Sequence, residues 1–184
     1  SIQSKRFRAL IKSLGDYASV GIHPSYGSNG KREQLTKEVL RLSSVMNREV
    51  KKSRQHFLKM RLPDTYRDLI ELDIQEDYTM GYASDYGFRA GLCTPFFFYD
   101  LDLEVETSLK IFPFALMEGT LKYYQKVSPE KAMEHIRPLI DEVKKVLEGD
   151  RTKVRQLKLE PGDLQIFKGR FTMHRVTKVK GNKP

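Results

Sequence analysis

The sequence predicts an α/β fold with parallel strands over most of its length, ending in a short antiparallel β segment. Three observations carry this reading. Strand-length apolar stretches alternate with segments of helical apolar spacing, which is the pattern of strands joined by helical crossovers. Polar residues able to do chemistry fall just after the predicted strands, where loops of an α/β fold gather. The alternation stops near residue 150, where the charge balance also changes.

Taken in order, residues 2–14 form an amphipathic helix with Ile2, Phe7, Leu10, Ile11 and Leu14 on its apolar face. Ala18-Ser19-Val20-Gly21-Ile22 is a short buried strand that runs into His23-Pro24. Residues 27–31 are a Gly/Ser/Asn loop. A helix follows over residues 34–46, with Leu35, Val39, Leu42 and Val45/Met46 on one face. A weaker strand ends near Ser53-Arg54-Gln55-His56-Phe57, and Pro63 opens a helix through Leu72. Gly87-Phe88-Arg89-Ala90-Gly91 is a tight turn, and the run Pro95-Phe96-Phe97-Phe98-Tyr99 supplies core packing or a sugar-stacking surface. Residues 109–114 are a strand. Ser128-Pro129-Glu130 starts a helix that reaches about Val146, with Ser as cap, Pro at the first position and an acid in the first turn.

Composition bounds the possibilities. The 184 residues suit one domain, or one domain with an appendage. Ten Phe and nine Tyr provide material for a core. No apolar run approaches the ~18 residues of a membrane span. The opening Ser1-Ile2-Gln3-Ser4 reads as a cut inside a longer protein, and no signal peptide is legible, so a cytoplasmic location is expected. Cys93 is the single cysteine. The net charge of +9 is uneven: residues 150–184 hold ten Lys/Arg against three Asp/Glu, leaving only +2 for the rest. Basic residues there alternate with apolar ones, as on the solvent face of strands, and do not point to nucleic acid or membrane.

Of the four histidines, His135 lies in the last helix among charged residues and reads as a surface residue. His23 follows a strand and precedes Pro24, which stiffens the turn. His56 closes the next strand. Neighbouring parallel strands lie ~5 Å apart, so the two imidazoles are candidates to share one metal ion. The alternative is a pair of hydrogen-bonded histidines beside Arg54.

Five motifs occur in order: Gly21-Ile22-His23-Pro24-Ser25-Tyr26, Ser53-Arg54-Gln55-His56-Phe57-Leu58, Pro63-Asp64-Thr65-Tyr66, Asp77-Tyr78-Thr79-Met80-Gly81-Tyr82 and Gly87-Phe88-Arg89-Ala90-Gly91. Together they resemble a bacterial branch of the polysaccharide deacetylases, over residues ~5–147. The resemblance implies an incomplete (β/α) barrel at residues 1–148. It also implies a divalent metal, usually zinc, and hydrolysis of acetyl groups on a glycan by a metal-activated water. By the same resemblance His23 and His56 are metal ligands, Arg54 and Arg89 catalytic residues, and Tyr26, Tyr82 and Phe88 substrate contacts. The sequence departs from the family at three points. The aspartate pair upstream of His23 is absent, with Asp16 isolated. Gly27 stands where a second His is usual, four residues after His23. The late His motif after the last helix is replaced by Leu147-Glu148-Gly149-Asp150.

Residues 149–184 have a separate resemblance. Pro161-Gly162-Asp163-Leu164-Gln165-Ile166-Phe167 followed by His174-Arg175-Val176-Thr177 is similar to the end of an iron- and 2-oxoglutarate-dependent dioxygenase. That resemblance implies Fe(II) and 2-oxoglutarate as cofactors and His174 as an iron ligand. The chain therefore reads as a composite. Three functions are in competition: an incomplete deacetylase-like hydrolase, a non-catalytic glycan-binding domain, and an oxygenase fragment. The expectations are His23 and Arg54 at the C-terminal ends of adjacent strands, weak metal binding, and a hairpin centred on Pro161-Gly162.

Overall fold

The computed structural model describes residues 4–150 and Thr152. The His174 expectation and the tail hairpin lie outside the described residues. The chain is mixed α/β and divides into two units. The first comprises residues 1–80 and 94–113, the second residues 81–93 and 114–184.

The first unit holds a four-stranded mixed sheet. Its strands are β1 (Lys52–Ser53), β2 (Glu76–Asp77), β3 (Phe96–Asp100) and β4 (Val105–Ile111), in the order β1-β2-β4-β3. β1, β2 and β4 run parallel, and β3 pairs antiparallel with β4 as a hairpin. The expected strand at residues 18–22 contributes only Ile22, which bridges Ser53 in parallel. Gly21 is what lets the chain come this close: a side chain there would put its Cβ 2.8 Å from the Lys52 carbonyl oxygen.

Three helices flank this sheet in sequence: α1 (Lys5–Tyr17), α2 (Arg32–Met46) and α3 (Asp64–Glu71). α2 buries Leu35, Val39 and Val45, the spacing expected of its apolar face, and stops at Asn47, which is left-handed (φ 52°). α3 buries Thr65, Tyr66 and Leu69. Leu69, Leu109 and Ile111 are fully enclosed, with Ile22, Val50, Leu58 and Ile74 around them. Beneath the β3–β4 turn, the Arg67 guanidinium donates to both oxygens of the buried Asp100 at 2.6 Å, and to Asp102 at 2.9 Å. Asp100 Oδ1 also accepts the backbone N–H groups of Asp102 and Leu103. The Arg67 hydrogen bonds hold the Asp100 carboxyl below its usual range.

The aromatic run does not form a core strand. β3 alternates, leaving Phe97 and Tyr99 exposed while Asp100 is buried. A bulge between Phe97 and Tyr99 interrupts its register with β4.

The second unit holds a π-helical turn (Thr120–Tyr124) and α4 (Pro129–Leu147), which begins at Ser128-Pro129 as the sequence indicates. Its loop is tied by backbone bonds: Gly87 N–H to the Ala115 carbonyl at 2.7 Å and Gly91 N–H to that of Phe88 at 2.9 Å. The Thr120 hydroxyl donates to the Ala83 carbonyl. Among the described residues, no helix is long and apolar enough to cross a membrane.

Candidate functional site

In a parallel sheet, the residues that follow each strand emerge on one edge. His23 follows Ile22, Arg54 follows β1, Tyr78 follows β2 and Phe112 follows β4. The register carries this along: Tyr78 and Phe112 stack with centroids 4.7 Å apart and an interplanar angle of 14°. The Arg54 N–H donates to the Ile22 carbonyl at 3.0 Å, so His23, after the Ile22 bridge, and Arg54, after β1, emerge side by side, although residues 18–22 form no full strand.

The two histidines meet. His23 Nδ1 lies 2.7 Å from the Arg54 carbonyl oxygen, and His23 Nε2 lies 2.9 Å from His56 Nδ1. A carbonyl only accepts, so His23 Nδ1 is the protonated nitrogen. In the neutral ring Nε2 then carries the lone pair and accepts from His56 Nδ1–H. His56 keeps its own Nε2 as an acceptor. One backbone carbonyl thus sets the tautomers of two imidazoles in series.

Each loop is fixed by its own bonds. After the buried Pro24, Ser25 donates from both its N–H (2.8 Å) and its hydroxyl (2.6 Å) to the Glu38 carboxylate on α2, which also accepts from Gln34. Burial pushes the Glu38 carboxyl up, but the hydrogen bonds from Ser25 and Gln34 outweigh it and the net shift is downward. The chain then makes a 3₁₀ turn, Tyr26–Ser28. The His56 loop makes another, His56–Leu58, in which Phe57 (φ 55°, ψ 20°) and Leu58 (φ 52°) are both left-handed. Such conformations cost on the order of 1–3 kcal/mol each for non-glycine residues and gather at functional sites. Buried Leu58 and the bond from Asn29 Nδ2 to the Lys59 carbonyl (2.8 Å) hold the turn.

The result is an aromatic corner beside the histidines. Tyr26 and Phe57 meet edge-to-face at 5.8 Å, and the His56 and Phe57 rings at 4.8 Å. Lys59 Nζ sits 4.3 Å from the Tyr26 ring centre and 3.3 Å from its hydroxyl. Tyr26, Phe57 and Lys59 line an open hollow of about 600 Å³.

Beneath the strand ends lies Asp77. Its carboxylate accepts from the Ser53 hydroxyl (2.6 Å), the Thr79 hydroxyl (2.7 Å) and the Thr79 N–H (2.9 Å), with the Tyr66 hydroxyl alongside. Thr79 Oγ1 in turn accepts the Gln55 N–H at 3.0 Å. Burial raises the Asp77 carboxyl above its ordinary value despite these donors. Gln55, 3% exposed, buries an Nε2 donor without a partner among the described residues.

The candidate residues divide between the two units. His23, Tyr26, Arg54 and His56 converge in the first. Tyr82, Phe88 and Arg89 belong to the second, where Tyr82 and Phe88 are half-buried and Arg89 is exposed. His135 packs against Tyr86 at 6.2 Å. Asp16 is an ion-pair partner of Arg48 at the surface. Sequence reasoning passed over Lys59 and Glu38; it offered Asp77, with Asp16, as the carboxylate to join the histidines, but Asp77 is committed to Ser53 and Thr79.

For a metal, the donors fit in part. Two Zn–N bonds of ~2.0–2.1 Å at a tetrahedral angle hold their nitrogens ~3.3 Å apart. The two imidazole nitrogens, at 2.9 Å, are a few tenths of an ångström short of that spacing. Among the described residues no three His, Cys, Asp or Glu side chains converge to hold an ion. Among the described residues the pair does not complete the three-ligand set of a hydrolytic zinc site.

No family model, curated protein or solved structure matches this chain.

Proposed function

We propose that the first unit is a glycan-active module of polysaccharide deacetylase type, acting on acetylated glycans at the edge that carries His23, Arg54 and His56. The observation that supports this most is the 2.9 Å approach of two imidazoles from adjacent parallel strand-end loops, locked by the Arg54 carbonyl. Imidazoles held edge to face, at an interplanar angle of 62° and with preset tautomers, suit proton transfer, since positioning costs nothing at the moment of reaction. His56 Nε2 is the open acceptor of the pair. When bound, zinc would polarise the acetyl carbonyl, and would be held by His23 Nε2 and His56 Nδ1 in place of the proton they share. The dioxygenase reading of the tail, with Fe(II), 2-oxoglutarate and His174, is a separate proposal outside the described residues.

A second reading, glycan binding without catalysis, is favoured by the lack of a third ligand among the described residues. Acetate release from acetylated chitooligosaccharides and acetylated xylan, with and without added zinc, separates the two. Release that is lost in His23→Ala supports the hydrolase. Glycan binding with release no greater than that of His23→Ala supports the binding module. Neither binding nor release from any acetylated glycan would sink both.

A further inference from the structure

The hollow beside the histidines has a chemistry of its own. Tyr26 and Phe57 are 55% and 64% exposed, yet both are held on fixed backbone. Tyr26 is placed by the Ser25–Glu38 clamp, and Phe57 by a left-handed turn closed through Leu58 N–H to the Gln55 carbonyl. Exposed rings normally gain from burial, so holding two of them rigid in solvent suits a ligand with an apolar face. The axial C–H groups of a pyranose ring are such a face. The 86° angle between the rings makes a corner, which seats one sugar ring, not a parallel slot for a flat base.

Lys59 adds the second element. Its ammonium lies over Tyr26 and spends one donor on the Tyr26 hydroxyl. An ammonium has three donors, so two remain. Among the described residues Lys59 has no carboxylate partner, and the Glu38 carboxylate that anchors Ser25 is committed to Ser25 and Gln34. A cation resting on an aromatic face beside a sugar-sized corner, with no acid to neutralise it, calls for a carboxylate carried by the sugar.

We infer that Tyr26, Phe57 and Lys59 form a subsite for an acidic sugar, a uronate unit of the glycan, with Phe57 and Tyr26 bracketing the ring and Lys59 binding its carboxylate. This rests on the glycan reading above and narrows it to polyuronate-containing substrates.

The test is calorimetric titration of the full chain with trigalacturonate, with neutral chitotriose and with a short oligouridylate, at low and high salt. Trigalacturonate is expected to bind more tightly than chitotriose, and to weaken with salt as a charge contact does. Lys59→Ala should lower its affinity by about 10- to 100-fold, the worth of a charged hydrogen bond, while leaving chitotriose unaffected. Lys59→Arg should restore most of it. Phe57→Ala should weaken both sugars; because it also removes a left-handed side chain, its fold is checked by thermal melting. Equal binding of the two trisaccharides, or indifference to Lys59→Ala, overturns the uronate subsite and leaves the glycan reading intact. Failure of both sugars to bind removes the subsite and the glycan reading together. Tighter, Phe57-dependent binding of oligouridylate overturns it in favour of a single-stranded nucleic acid.

Discussion

His23 and His56 share one hydrogen bond, Nε2 to Nδ1 at 2.9 Å, whose direction is set by a third group, the Arg54 carbonyl bonded to His23 Nδ1. Free histidine chains are commonly assigned the Nε2–H form. Here the geometry requires Nδ1–H on both rings when neutral. Long-range ¹H–¹⁵N correlation spectra should display Nδ1-protonated patterns for both His23 and His56. In His23→Ala the pattern for His56 should revert toward the ordinary tautomer mixture, because its acceptor is gone. An Nε2–H pattern on His23 in the intact protein would contradict the relay.

Gly27 marks the position where a second histidine is usual in the family that the sequence resembles. It sits inside the 3₁₀ turn Tyr26–Ser28, and a Cβ built there meets nothing within 4 Å. A larger side chain is therefore tolerated. Gly27→His should leave the melting temperature nearly unchanged and supply a third imidazole near the pair. Each missing ligand or supporting group costs about 10- to 100-fold in metal affinity. Competition with a chromophoric chelator should accordingly find zinc held at least about tenfold more tightly by the variant. No gain would mean that the turn points residue 27 away from the histidines.

Asp77 gives a pH signature. Its folded pKa is raised by burial, above the ordinary ~3.9 of an aspartate in the unfolded chain. The folded state then holds this proton more tightly. The contribution to stability is greatest below the unfolded pKa and is lost as pH rises through the folded one. Asp100 and Glu38 are shifted downward and act with the opposite sign, so the wild type alone does not isolate Asp77. Asp77→Asn does. It leaves the Thr79 N–H or a hydroxyl imperfectly paired and should cost about 1–3 kcal/mol. That cost should be largest near pH 4 and shrink as pH rises toward neutrality. Urea unfolding of both proteins over this range checks the sign; a cost that grows with pH would mean that the Ser53 and Thr79 donors outweigh burial.

How much of this was legible follows from the range of each interaction. Helices α2 and α4 are local: apolar spacing and the Ser128-Pro129 start are enough to place them. His23 was legible as a strand-end residue because it closes the apolar stretch 18–22, and His56 only as the residue after a weaker strand with no apolar run before it. The pairing of Arg67 with Asp100, 33 residues apart, has no local signature. It is also why β3 ends at a buried acid where the sequence suggested an aromatic run for core packing or sugar stacking. The strand at residues 18–22 was overread, because apolar content alone does not say whether a neighbour is present along its length; only Ile22 finds one. Lys59 was illegible because its neighbour Tyr26 is reached only through the fold.

In the second unit, Gly81 and Phe114 form a pair that is testable without any ligand. The tip of the Phe114 ring occupies the space a Cβ on Gly81 would need, well inside van der Waals contact. No rotation of an alanine methyl escapes this, since the Cβ position is fixed by the backbone. Either the ring or the loop must move. Forcing an extra methyl into a packed contact costs roughly 1–3 kcal/mol. The loss should be local, because this unit's loop hangs on a few bonds, such as Gly87 N–H to the Ala115 carbonyl. The readout is amide hydrogen exchange at Gly87, which should accelerate in Gly81→Ala. In a Phe114→Leu background the shorter side chain vacates the site, and the same substitution should then cost much less, a coupling that a double-mutant cycle measures directly. Equal acceleration in both backgrounds would show that Gly81 is needed for its backbone freedom and not for the ring that rests on it.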